Sequence, residues 1–193
     1  MEITLPIRHT WLRDATMTDT TADAASTAAH DALSFRELLS YTQEETARWE
    51  EWLRAQDPAV LDVSLGEGKW NTVGDLVFHL FVVERRYTER LYDEPATAYE
   101  SIPHATLDEI FAVHRQSRPR LERWVDTAPA EEWERVLTFQ TITAGALTAS
   151  KRKIVAHALV HGIRHWAQIA MALRQAGWPT PWMHDLIMAG GIA

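Results

Sequence analysis

Apolar side chains recur at three- and four-residue spacing over four long stretches of the chain, the spacing that lines one face of an α-helix. The first stretch opens at Ser34-Phe35-Arg36-Glu37, an S-x-x-E capping box that satisfies the free amides of a helix start, and runs to about Gln56. Asn71 or Thr72 caps the second, which places Asp75 at the positive end of its dipole and extends to about Tyr92. Thr106-Leu107-Asp108-Glu109 is a second capping box, and the third helix continues to about Asp126 with a kink expected at Pro119. Ala128-Pro129-Ala130-Glu131 reads as a break followed by a short helical turn. From Val136 to Ala149 the chain turns Thr-rich and β-branched around Ala144-Gly145, which predicts a hairpin or extended loop. Ser150 caps the last helix, which reaches about Ala176 before Gly177 and Pro179 end it. The expected fold is all-α: a four-helix bundle with a short β-like excursion before the last helix.

The bundle accounts for residues 34–193. Residues 1–33 read as an N-terminal extension, because the run from Thr16 to Thr27 has too few large apolar groups to offset the entropy of ordering it. The second helix is apolar at seven of eight positions from Leu76 to Val83, and a helix in a single bundle normally keeps one solvated face. A partner subunit covering Phe78 and Phe81 or Val82 would explain this, so a homodimer is expected; the alternative is that residues 1–33 or the segment from Trp178 to Ile192 folds back over that face. The last helix holds a single formal charge, Arg164, between Lys153 and Arg174, so it too is expected to be largely enclosed.

Composition narrows the chemistry. With 19 Lys+Arg against 27 Asp+Glu the net charge is −8, which lacks the electrostatic footprint of a nucleic-acid binder. There is no cysteine, so any metal site must use His, Asp or Glu, and no disulfide or thiolate nucleophile exists. No apolar run reaches the roughly 18 residues of a membrane span, and the stretch from Asp14 to Ala29 has no apolar signal-peptide core, so a cytoplasmic protein is expected.

Nine histidines draw attention to their positions. His157, His161 and His165 stand at i, i+4 and i+8 on the last helix, one stripe on one face, and an i, i+4 pair of imidazoles can converge on a single ion. His161 and His165 are such a pair. His79, the single polar interruption in the apolar centre of the second helix, is the candidate third ligand, since imidazoles buried between two apolar helices are costly unless something coordinates or bonds them. Against this stands the plainer reading that each is a hydrogen-bonded core residue. His157 is open to three readings, a fourth ligand, a base behind the ligands that serves a metal-bound nucleophile, or a packed residue, with a pocket-lining role expected; Gln168, one turn below His165, is expected to orient a ligand.

Three further features carry a resemblance. Lys69-Trp70-Asn71-Thr72 leads into a helix with His79 in its second turn, His161-Gly162-Ile163-Arg164-His165 lies on the last helix, and Arg174-Gln175-Ala176-Gly177 precedes Asp185-Leu186-Ile187. In these the chain resembles the DinB/YfiT-like superfamily of bacterial four-helix proteins over roughly residues 34–190. The resemblance implies that His79, His161 and His165 bind a divalent metal, that a low-molecular-weight thiol such as bacillithiol or mycothiol is activated there by a transferase or isomerase, and that homodimers are common. Where many members have His-Arg-Gly-Gln, this chain has His165-Trp166-Ala167-Gln168, a departure that bears on the substrate.

Three imidazoles leave coordination positions open, the arrangement of a catalytic site, and zinc, nickel or iron would each suit an all-nitrogen set. The leading expectation is therefore a metal-dependent enzyme, thiol S-transferase-like or hydrolase-like, acting on a small molecule; the second is a non-catalytic metal-binding stress-response protein. A di-iron carboxylate enzyme is excluded because no histidine has Glu three residues before it, and a His-Glu-x-x-His metalloprotease because that motif is missing. Trp70, Trp166, Trp178 and Trp182 are expected as core and loop anchors. His9, His30, His104 and His114 stand in surface-type contexts, and Glu44-Glu45 and Glu131-Glu132 read as solvated faces. Asp75 and Glu84 are the carboxylates to reconsider should the imidazoles not be ligands.

Overall fold

A computed structural model describes residues 33–190 of the chain. Each long helix starts where its cap dictates. Helix α1 is Phe35–Ala55, with both bonds of the Ser34–Glu37 box formed, and α2 is Val73–Leu91, capped by Thr72 Oγ1 accepting from the Asp75 amide at 3.1 Å. Helix α3 is Leu107–Thr127, again with both bonds of its box, and it runs through the exposed Pro119 to Thr127. A short α4, Ala130–Glu134, leads into β1, Val136–Gln140, and β2, Ala146–Ser150, paired antiparallel with Val136 opposite Ser150. Gly145 closes the hairpin with φ +68°, a left-handed conformation that a Cβ would disfavour. Helix α5, Lys151–Gln175, follows directly, and Gly177 at φ +86° ends it, with the Trp178 amide reaching back to the Leu173 carbonyl at 2.8 Å.

Helix α2 packs against α3 and α5, and α1 closes the bundle against α5 and α3. The interior divides in two. One apolar cluster gathers Trp49, Phe78, Phe81, Phe111, Trp166 and Ile169; the other gathers Leu39, Leu91, Leu121, Trp124, Ile154 and Leu159. Between them a buried polar group ties α1, α2 and α3: Glu84 accepts from Arg118 at 2.7 Å and from Ser117 at 2.8 Å, and meets His114 at 3.1 Å, while Arg118 also donates to Thr42 at 3.1 Å.

Phe78, Phe81 and Val82 of α2 are buried within one chain. Phe78 lies against Tyr99 and His104 of the α2–α3 connection, and Phe81 lies against Phe111, His114 and Trp166. The reason first given for a homodimer, an uncovered α2 face, therefore does not apply. Expectations for the N-terminal extension fall on residues 1–32, outside the described part, apart from Leu33. No helix among the described residues is long and apolar enough to cross a membrane.

Candidate metal centre

Helical periodicity sets the site. From α2, His79, Val83, Arg86 and Arg90 fall at i, i+4, i+7 and i+11, and from α5, His157, His161 and His165 fall at i, i+4 and i+8, so each helix turns one stripe toward the other. All seven line a single cavity of about 390 Å³ between α2, α5 and the tip of the hairpin. Trp70 and Tyr99 form another of its walls.

Inside it, His79, His161 and His165 each bring one ring nitrogen to within 4.8 Å of the others. His161 Nε2 and His165 Nε2 are 3.0 Å apart, and the His79 ring centroid is 5.1 and 5.3 Å from those of His161 and His165. His165 Nδ1 is 2.6 Å from Gln168 Oε1. An amide oxygen only accepts, so Nδ1 carries the proton and Nε2 offers its lone pair to the centre. Gln168, expected from the sequence to orient a ligand, makes this bond from one turn below.

The environment keeps these rings neutral. Burial, then the charge of His165 and Lys69, lowers the His79 pKa to about 3; burial, then the neighbouring histidines and Arg164, lowers that of His161 to about 2. Burial also lowers His165, against an opposing contribution from its bond to Gln168. Neutral imidazole is the form that ligates metal. Nδ1 of His79 and of His161 are buried with no hydrogen-bond partner; in His161 this nitrogen points away from the Nε2 that meets His165, so it is left for a proton or an ordered water rather than for the ion. The donor set and its convergence fit a divalent cation of the borderline class.

His157 stands apart from the converging nitrogens. It lines the cavity with its ring 5.2 Å from that of His161 and edge-on to Tyr87 at 4.9 Å.

A family model described as the DinB family matches residues 17–189. The chain belongs to the DinB family. Among curated proteins none matches it. The DinB match reaches into the segment set apart above as an extension, and it covers every histidine of the candidate centre.

The structure of this DinB protein also assigns places that the sequence reading missed. Arg86, Arg90, Arg164 and Tyr99 all line the cavity. Stepping from His79 by helical periodicity would have found the first two; Tyr99 lies in an irregular connection and gives no such signal. Trp70 is a wall of the site as well as an anchor, stacked on His79 at 4.3 Å. His114 is a correction: far from a surface residue, it is buried against Glu84, because α3 turns that face inward onto α2. Glu45 is another, buried and bonded to His184 and to Trp182 Nε1 of the C-terminal segment. His104 is exposed but stacks on Phe78 at 4.0 Å, and His9 and His30 lie outside the described residues.

Proposed function

We propose that His79, His161 and His165 hold one divalent cation, zinc, nickel or iron, and that the protein is a metal-dependent enzyme of the thiol S-transferase or hydrolase type. The observation that carries this reading is the convergence of three neutral imidazoles, within 4.8 Å, on a cavity of about 390 Å³, ample for a small organic substrate. When bound, the ion supplies Lewis acidity that makes a thiol or water nucleophilic near neutral pH. The chain's residues have separate tasks. Gln168 holds His165 in the tautomer that presents Nε2. Trp70, Val82, Val83 and Leu147 limit water in the cavity. His157, whose pKa burial lowers before Arg164 and Lys153 lower it further, is a neutral base at the cavity wall, placed to accept a released proton.

Elemental analysis of the purified protein tests the centre, with about one divalent ion expected per chain. His161→Ala is expected to abolish stoichiometric binding, since two imidazoles hold a metal far less well than three; wild-type metal content in that variant refutes the site. A conjugation screen with glutathione, bacillithiol and mycothiol tests the chemistry. Metal bound at full stoichiometry without activity toward any thiol or hydrolysable substrate would favour a non-catalytic stress-response role.

A further inference from the structure

The cavity above the three histidines carries charge of one sign. Arg86 and Arg90 line it from α2 and Arg164 from α5, and among the described residues no Asp or Glu lines it. This occurs in a chain of net charge −8, so the arginines are not the overflow of a basic surface. Two arginines outside it do meet carboxylates: Arg85 meets Glu89 at 3.0 Å and Arg118 meets Glu84 at 2.7 Å. Arg86, Arg90 and Arg164 pair with no carboxylate among the described residues. Arg90 is committed to backbone oxygens, those of Arg86 at 3.0 Å and Gln140 at 2.9 Å, and Arg86 donates from Nη1 to the Thr97 carbonyl. Arg164, exposed at the cavity mouth, has no hydrogen-bond or ion-pair partner among the described residues.

Tyr99 adds an independent observation. Its hydroxyl is buried, belongs to a residue lining the same cavity, and has no hydrogen-bond partner. Burial raises its pKa, with the charges of Asp75 and Glu100 adding to the effect, so the group keeps its proton and remains an unused donor. Uncompensated guanidiniums together with a free O–H form a receptor for an anion, and the planar guanidinium fork matches a carboxylate. The rest of the wall, Trp70, Val83, Ile142 and Leu147, suits a carbon skeleton. No glycine and no helix N-terminal turn lines the cavity, which removes the usual amide cradle of a phosphate.

We propose that the cavity takes a small substrate bearing a carboxylate, held by Arg164 and Arg86, with the Tyr99 hydroxyl as a further donor that the ligand would have to reach. The proposal deepens the metal-dependent reading above and rests on it for the chemistry, though not for the binding.

Calorimetric titration of the full chain, zinc-loaded and metal-free, with glutarate, glutaramide and inorganic phosphate tests it. Glutarate is expected to bind both forms, more weakly as sodium chloride rises, while the neutral glutaramide gives no heat. Arg164→Gln is expected to weaken glutarate about tenfold and Tyr99→Phe several-fold, both at unchanged zinc stoichiometry. Glutaramide binding as well as glutarate, phosphate binding more tightly than glutarate, or Arg164→Gln leaving glutarate affinity intact would each overturn the proposal. A wild-type protein that binds no zinc sinks the metal centre alone, because the metal-free titration still reads the anion site. Glutathione competing with glutarate where its diethyl ester does not would assign the carboxylate to the thiol; glutarate retained in the presence of glutathione would assign it to the other substrate.

Discussion

Glu84 illustrates what burial demands of a single charge. Desolvation alone would raise its pKa, yet Arg118, then His114, with the hydrogen bonds of His114 and Ser117, outweigh it and hold the carboxyl at about 2. Glu84→Gln keeps the shape and removes the charge, leaving the buried Arg118 without its carboxylate. The expected cost is about 3–5 kcal/mol, read from the urea midpoint. The pH dependence has a definite sign. Because the folded pKa of Glu84 lies below its ordinary 4.5, its contribution is present above that value and is lost as pH falls toward 2. His79 and His161 act in the same direction over a higher window: between their ordinary 6.5 and folded values of about 3 and 2, the unfolded chain binds more protons. Metal-free protein is therefore expected to lose stability steadily as pH drops below about 6.5. A urea midpoint independent of pH between 7 and 4 would contradict the neutral, desolvated histidines.

At the scale of the element, local chemistry decided the boundaries. Ser34, Thr72, Thr106 and Ser150 each accept a hydrogen bond from the amide three residues on, and each long helix begins at the next residue. Gly177 ends α5 in a conformation that L side chains rarely adopt, so Gly177→Ala is expected to cost about 1–2 kcal/mol in thermal or urea unfolding. An unchanged midpoint would mean that the tail beyond α5 rearranges freely. The hairpin was legible as an excursion but not as a wall of the site. Its placement depends on Arg90, which donates to Gln140 and lies over Phe139 at 4.6 Å, contacts spanning about fifty residues, while the same guanidinium lies over Tyr87 of its own helix at 5.0 Å.

For the whole molecule, the enclosure of α2 is the feature the structure reinterprets. Phe78 is only 2% exposed, covered by Tyr99 and His104 from the same chain. Phe78→Glu should then behave as a core lesion, lowering the free energy of unfolding by several kcal/mol through an unpaired buried charge, with no change in the mass of the folded protein. Light scattering on the folded fraction checks this. A halved mass with the midpoint preserved would instead place an oligomer interface on α2.

The sequence by itself determined the long helices and their starts to within a residue, because each rests on interactions within a few residues or on a helical periodicity; it left the excursion open between a hairpin and a loop, and the three histidines as candidates that only the packing of two helices brings together. It did not determine the surroundings of His114, whose partners Glu84 and Gln43 lie 30 and 71 residues away, nor those of Glu45, whose partner His184 is 139 away. The same holds for the charge of the cavity. Arg86, Arg90, Arg164 and Tyr99 come from two helices and an irregular connection, and only the packing of α2 on α5 brings them around one space. A side chain's identity is local, but its dielectric surroundings and its partners are properties of the assembled bundle.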